Sequence, residues 1–420
     1  MRQFAGSEGM SELLIAACRR DAADGLRAHS AALGEPAALR PFLDFAQRHG
    51  VAGLALASLE RSGSLESLPT DQRTSARDSL KRLRLHAAVL LLERDHILSA
   101  LADEGLRPVV LKGAGLASSV FQEPAERDYG DIDLLLAHGE VDTAIRALGE
   151  KGYANPNSAD AEQSYRAHHF HIGIQRPGAT IVELHWGLVR RIEPFLLDAD
   201  AFMRRSVQID QAAAGARFAS ATAVPLRLPS AEHALLHIVV ECVRGSFSRL
   251  KWLVDVDRIV AAAPNMDWDF VVESARLGNL LPSTAFALEM SCGLLGTSVP
   301  GAVRRRMRPG RSTRTHLSLL RPPEFMMRQR GRTRSSSADL LQLWLLAGRS
   351  RVGWLAKLMT PEADDPMQSL WHDPHSPPAE PVTRVRRVGR VAKLLANQFS
   401  TYIQGAASLF SRRRIRARMW

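Results

Sequence analysis

Apolar residues are spaced in two ways along the chain, and the change of spacing marks out its elements. From about residue 11 to residue 104 they recur at helical intervals, as in Leu39, Phe42, Leu43, Phe45 and Ala46. Residues 80–101 give the longest such face, with Leu83, Ala87, Leu90, Leu91, Ile97 and Leu98 on the side predicted to meet a core. Met10, followed by Ser11-Glu12-Leu13-Leu14, opens a cleaner helix than Met1 does. The texture changes at Gly105. Residues 107–111 are a short apolar run after a glycine, which suits a buried strand, and Lys112-Gly113-Ala114-Gly115 breaks it; residues 116–121 then suit a short helix. A second strand is predicted over 132–136, opened by Asp131, with a helix over 141–149. Two more strands are expected at 170–175 and 180–186, joined by the turn-forming Pro177-Gly178. After Pro229-Ser230, an N-cap signal, the helical period returns over 231–244, 250–262 and 268–277. This order predicts an α+β protein: an N-terminal helical region (1–104), a mixed-sheet core (105–205), a helical domain (206–300) and an Arg-rich helical extension with loops (301–420). No repeat of 20–50 residues is present.

Composition narrows the class. With 45% hydrophobic and 24% charged residues the chain is neither collagen-like, nor fully disordered, nor a disulfide scaffold. Its cysteines, Cys18, Cys242 and Cys292, have no paired spacing, which fits a bacterial-type reducing cytosol and a cytoplasmic location. The most apolar stretch, 280–303, is interrupted by Pro282, Glu289, Gly293 and Gly296, so no membrane span is expected. The net charge of +11 is unevenly spread: residues 301–420 carry 24 Lys+Arg against 7 Asp+Glu, and the rest 31 against 37. A mildly acidic body with a basic extension is not the footprint of a catalytic domain that grips nucleic acid. The extension itself, at 384–395 and 412–420, has the cationic character to touch an anionic membrane surface or nucleic acid; a solvated helix face is the plainer reading, and few aromatics are interleaved for base stacking.

The chemistry concentrates in the middle third. Asp131-Ile132-Asp133 sets two carboxylates at i and i+2, on one side of a strand, where they repel unless water or a cation lies between them. Mg²⁺ favours a few carboxylates together with phosphate oxygens and water, so the pair suits a metal-bound nucleoside triphosphate. Upstream, the small residues of Lys112-Gly113-Ala114-Gly115 let backbone N–H groups approach a phosphate. Downstream, Glu183 supplies a third carboxylate on a strand, with His185 on the same face.

These residues resemble the nucleotidyltransferase superfamily (DNA polymerase beta-like), whose minimal domain has a Gly-containing turn, an Asp-x-Asp on the next strand and a later Asp or Glu. More narrowly, Leu111 to Leu116, Arg127 four residues before Asp131-Ile132-Asp133-Leu134-Leu135, and Glu183-Leu184-His185-Trp186 look like an uncharacterised bacterial nucleotidyltransferase family, and are similar to the aminoglycoside and lincosamide nucleotidyltransferases. Residues 250–258 resemble the helix that follows in the same family. The resemblance implies a nucleotidyltransferase-fold mixed sheet and transfer of a nucleoside monophosphate from an NTP, such as ATP, to a hydroxyl or phosphate of a small-molecule, peptide or saccharide acceptor. It implies Mg²⁺ (or Mn²⁺) on Asp131, Asp133 and Glu183, with Glu183 completing the metal site or acting as general base. Lys112, Gly113, Gly115 and Arg127 would attend the nucleotide, and His185 and Asp255 would support the ligands. Ala114 stands where the superfamily places a second Gly or a Ser, and the 18 residues from Gly113 to Asp131 exceed the most compact spacing.

Other residues read more plainly. His168, His169 and His171 lack accompanying cysteines, and only His169 and His171 share a strand face, which is a poor zinc site. Asp255 and Asp257 fall on a helix, where Asp255 is placed to brace a neighbouring domain. Arg127 has Glu126 and Asp128 as ready loop partners. The alternative function is a non-catalytic adaptor that keeps this fold as a binding module and reaches a membrane or partner through the basic extension. Acceptor, choice of NTP and oligomeric state are not encoded in the shared motifs.

Overall fold

A computed structural model describes residues 2–29, 38–156, 166, 169–190, 193–209, 225–245, 247–308 and 310. The architecture is α+β. Helices α1 (Arg2–Cys18), α2 (Ala22–His29), α3 (Leu39–Arg48), α4 (Ala52–Arg61) and the long α5 (Thr70–Asp103) precede the first strand. The sheet comprises β1 (Val109–Val110), β2 (Asp131–Leu135), β3 (His171–Ile174) and β4 (Ile181–His185), with α6 (Lys112–Ala117) and α7 (Val141–Gly149) between them. After α8 (Ala199–Arg204), a two-stranded ribbon of β5 (Val207–Ile209) and β6 (Leu226–Leu228) leads into α9 (Ala231–Arg244), α10 (Leu250–Ala262), α11 (Trp268–Leu277), α12 (Leu281–Leu295) and α13 (Gly301–Met307).

The sheet runs in the order β1-β2-β4-β3. Its central pair β2–β4 is parallel, and both edge strands are antiparallel to their neighbours. Period-two alternation separates its faces. Ile132 and Leu134 of β2, Val182 and Leu184 of β4, and Ile172 and Ile174 of β3 join one core with Ile97, Leu98 and Leu101 of α5 and Val141, Ala144 and Leu148 of α7. The intervening residues, Asp131, Asp133, Glu183, His185 and His171, must therefore occupy the opposite face. That face is polar at the start of β2 and ends at Leu135, which closes a small apolar cluster with Val109, Leu111, Leu188 and Phe202.

The helices on either side of the sheet in sequence share a second core. Leu13, Phe42, Leu54 and Leu65 pack with Leu235, Val254, Val271 and Phe286, so α1–α4 and α9–α12 form one body against which the sheet is held. Two helix starts obey their capping signals: Ser230 accepts a hydrogen bond from His233 N, and Asp267 from Phe270 N. On α5, Ala87, Leu90, Ile97 and Leu98 are buried, whereas Leu83 and Leu91 are half-buried. The first helix starts at Arg2 rather than at Met10. The run after β1 also differs from the sequence expectation: α6 starts at Lys112 itself, where a turn was expected before a helix over 116–121. Lys112 takes φ 40, a left-handed conformation that turns the chain out of β1 within one residue.

In the Arg-rich extension the described part is α13, where Arg304 pairs with Glu289 and Arg306 with Asp269 on the surface. The segments singled out beyond it, 332–337, 374–381, 384–395 and 412–420, lie outside the described residues. Among the described residues no helix is long and apolar enough to cross a membrane.

Candidate active site

Strand register assembles the acidic cluster. In the parallel β2–β4 pair, Asp133 stands directly opposite Glu183, Asp131 opposite Ile181 and Leu135 opposite His185. One ligand oxygen from each of Asp131, Asp133 and Glu183 falls within a 4.8 Å set, although 50 residues of chain separate the two strands. Across the other edge of β4, Gly173 lies opposite Glu183, so no side chain from β3 crowds that carboxylate. Thr180 Oγ1 donates to Gly130 O at 2.6 Å and fixes the two strand starts side by side.

The antiparallel β1–β2 register brings Lys112 to the same place. Leu111 N donates to Asp133 O at 2.9 Å, and the left-handed turn at the next residue aims the Lys112 ammonium at the Asp133 side chain, Nζ to Oδ1 2.9 Å. The glycines beside it have a packing reason. A Cβ on Gly113 would sit 2.5 Å from Tyr129 Cβ, and one on Gly115 would sit 2.7 Å from Val110 O. Both positions are thus needed for α6 to lie flat on β1 and on the β2 approach.

The three carboxylates live in different environments. Asp133 is fully buried, which alone would raise its pKa, but Lys112 and a hydrogen bond from His185 hold it well below the ordinary carboxylate value. Asp131 has no ion pair among the described residues; burial and the neighbouring charges of Asp133 and Glu183 push it up to about 6. His185, with no exposed surface, shares its Nε2 between Asp133 Oδ1 (3.0 Å) and Glu183 Oε2 (3.2 Å). Burial opposes its protonation, yet these two acceptors raise its pKa. The ring thus bridges the two carboxylates and fixes their spacing.

His171 stacks on His185 with ring centroids 4.9 Å apart, and its pKa is driven well down by burial and by the charge of His185. With Glu183 and His185 it forms a second close set of three polar ligand atoms. His169 contacts the edge of His171, and His168 lies outside the described residues.

Helix α9 closes the cluster from above with groups that no sequence spacing had singled out. Glu241 Oε1 lies 4.0 Å from Lys112 Nζ and accepts from Arg244 Nη1 at 2.6 Å. Arg244 in turn makes a two-pronged pair with Glu193, 2.8 and 2.7 Å, and lies over the Phe170 ring. Burial would raise the Glu241 pKa, but the Lys112 and Arg244 charges bring it down to about 2. The ion chain Asp133–Lys112–Glu241–Arg244–Glu193 therefore ties the sheet to the helical body.

Arg127 is engaged by Asp255. Its Nε and Nη2 donate to Asp255 Oδ1 and Oδ2 at 2.6 and 2.8 Å, and a further hydrogen bond goes to the Asp128 carbonyl. This pair clamps the approach to β2 onto α10, the bracing role foreseen for Asp255, and neither Glu126 nor the Asp128 side chain is its partner. Asp257 faces elsewhere, into Arg20, Arg258 and Thr297. One turn before Asp255, α10 also carries the cation Lys251. Burial and the Arg127 charge lower its pKa to about 8, and its charge acts favourably on Asp131.

A family model described as "Uncharacterised nucleotidyltransferase" matches residues 35–296, well over half of the chain, and spans the acidic cluster, Lys112 and the α9–α10 clamp. No curated protein and no solved structure matches significantly.

Proposed function

The chain belongs to the uncharacterised nucleotidyltransferase family, transferases of phosphorus-containing groups that use an NTP, and from that membership we propose that Asp131, Asp133 and Glu183 hold a divalent cation, Mg²⁺ or Mn²⁺, for NMP transfer to a hydroxyl or phosphate of a small-molecule, peptide or saccharide acceptor. The observation that carries this reading is the opposition of Asp133 and Glu183 in a parallel strand pair with Asp131 on the same face. The donor set is all oxygen and partly buried, which fits a hard cation rather than a thiolate-seeking one. A bound cation supplies charge neutralisation of the triphosphate and polarisation of the phosphoryl group under attack.

The rest of the work falls to this chain's own residues. Lys112 and His185 keep Asp133 ionised, and His185 fixes the gap between Asp133 and Glu183. Asp131 and the outer side of Glu183 are the open members of the cluster and face the reactants. Lys251 is the cation best disposed to meet an incoming phosphate, since no carboxylate pairs with its ammonium among the described residues. Most of the rate would come from positioning and pre-set charge, as in phosphoryl-group chemistry generally.

Calorimetric titration of ATP, GTP, CTP and UTP, with and without Mg²⁺, on the full chain and on D131N and D131N/D133N, tests the reading without knowledge of the acceptor. Binding that needs both the metal and the carboxylates is expected. A D131N/D133N protein that binds Mg·NTP as tightly as the wild type refutes the assignment and leaves the adaptor reading.

A further inference from the structure

Directly behind Lys112 lies a cavity of about 220 Å³ that the acidic cluster does not use. Val110, Leu116, Leu228, Ile238 and Ile259 form its walls, contributed by β1, α6, β6, α9 and α10. A cavity of roughly 150 Å³ with comparable apolar walls holds benzene, so this one has room for a ring with a substituent or a short alkyl chain. Besides Ser119, whose hydroxyl donates to Gly115 O, its polar lining is Lys112 and His237. The Lys112 side chain lines the cavity while its ammonium reaches Asp133, and His237 lines it one helical turn before Glu241. His237 is 2% exposed, and its Nε2 has no hydrogen-bond partner. Burial and the Lys112 charge bring that ring down to about 3, so it is neutral. A buried imidazole nitrogen without a partner costs free energy that a ligand hydroxyl would recover.

Charge selects the class of occupant. The Lys112 ammonium is already paired with Asp133 and close to Glu241, so a carboxylate in the cavity would find no free cation. An ammonium would meet Lys112 itself at close range in an apolar chamber. We propose that the cavity is the acceptor pocket, taking the apolar body of an uncharged alkyl or monocyclic aryl alcohol with its hydroxyl toward Lys112 and His237, where the Lys112 ammonium leads to Asp133. This rests on the nucleotidyltransferase reading above and narrows it. The hydroxyl oxygen forms the new bond to the α-phosphorus, and the bond from that phosphorus to the β-phosphate's bridging oxygen breaks. Pyrophosphate leaves, and the hydroxyl proton passes to a carboxylate of the cluster.

The test uses 1-octanol as probe, with octanoate and octylammonium as charged controls, titrated into the full chain by calorimetry and ligand-observed NMR. The expected result is octanol binding that persists in the presence of saturating Mg·NTP and in D131N, and that weakens by at least about tenfold in A234F, which fills the cavity from α9. S119F fills it from the end of α6 and guards against a folding defect in the first variant; retained Mg·NTP binding and far-UV circular dichroism report the fold of each. No octanol binding to the wild type, equal binding of the charged controls, binding indifferent to both substitutions, or displacement of octanol by Mg·NTP overturns the acceptor assignment. Loss of the nucleotidyltransferase reading itself shows separately, as wild-type protein that binds octanol but no Mg·NTP.

Discussion

The Arg127–Asp255 pair offers the sharpest test of how the site is held. Arg127 is 5% exposed and Asp255 not at all, and the two meet through a pair of hydrogen bonds across 128 residues of chain. Burial pushes the Asp255 pKa up against the pull of Arg127, so desolvation consumes much of the attraction. The whole pair is therefore worth little, while breaking it is expensive, because the survivor is left buried and charged. Arg127→Met or Asp255→Leu alone should cost about 3–5 kcal/mol, a large share of a total stability of about 5–15 kcal/mol. The double replacement R127M/D255L should lie within about 2 kcal/mol of the wild type. Urea unfolding followed by circular dichroism reads this directly: with a slope of about 2–3 kcal/mol/M, each single variant should lose more than about 1 M in midpoint, and the double should regain most of it. The same proteins separate brace from ligand. A brace predicts that R127M/D255L recovers Mg·NTP binding, whereas an Arg127 that gripped the triphosphate would leave it lost. Single variants costing under about 1 kcal/mol, or a double costing their sum, would refute the argument.

Three further outcomes follow from single positions. His49 is buried, accepts from Leu250 N through Nδ1, and has its pKa lowered to about 4 by burial and by Arg48 and Arg249; the unfolded chain therefore takes up this proton first, and stability that is full above pH 6.5 should fall toward pH 4 by about 1.4 kcal/mol per pH unit from this group, a slope that His49→Gln should flatten in pH-dependent melting. Gly53 of α4 leaves no room for a side chain, since its Cβ would lie 1.7 Å from Ala125 O; Gly53→Ala should cost more than about 3 kcal/mol in urea unfolding, and a loss below about 1 kcal/mol would contradict the packing of α4 on that loop. Lys112→Met should destabilise by about 1–3 kcal/mol by stripping Asp133 of its cation, and Lys112→Gly should recover part of that because glycine adopts the φ of 40 without strain; identical melting temperatures for the two would remove the strain from the account.

The helices and strands were legible because their two periods are written plainly in the apolar residues. Val141–Gly149, Ala231–Arg244, Leu250–Ala262 and Trp268–Leu277 lie where the helical pattern puts them, and the strands differ by one or two residues at their ends. The start of α6 was not legible, since a single left-handed residue decides it and no period records that. Asp131 and Asp133 were found by local alternation, but their meeting with Glu183 depends on a parallel register that lies outside local sequence. The glycines were legible as small residues beside a cation, but the close approach of Tyr129 and Val110 that also requires them is a tertiary contact. The resemblance put Arg127 with the nucleotide, and its pairing with Asp255 of α10 is set by tertiary packing that local sequence does not record. Glu241, Arg244 and His237 carried no signal of their own, being polar positions on a helix that only the tertiary packing turns toward the sheet.

Charge balance over the acidic face favours the proposed cation site. Asp131, Asp133, Glu183, Glu241 and Glu193 face Lys112, Arg244 and a His185 whose pKa its acceptors raise against burial. The carboxylates outnumber these cations, and burial together with the charges of Asp133 and Glu183 pushes Asp131 up to about 6 against the pull of Lys112 and Lys251. Glu193 and Arg244 satisfy each other, and Glu241 is shared by Lys112 and Arg244, so none of these cations can be lent to a polyanionic triphosphate without exposing a buried carboxylate. A free NTP would therefore approach a surface of its own sign at a site where partial burial strengthens the repulsion. On the proposed reading a divalent cation would enter with the nucleotide and Lys251 would be the protein's own contribution, while the ion chain from Asp133 to Glu193 keeps Lys112 and Arg244 engaged.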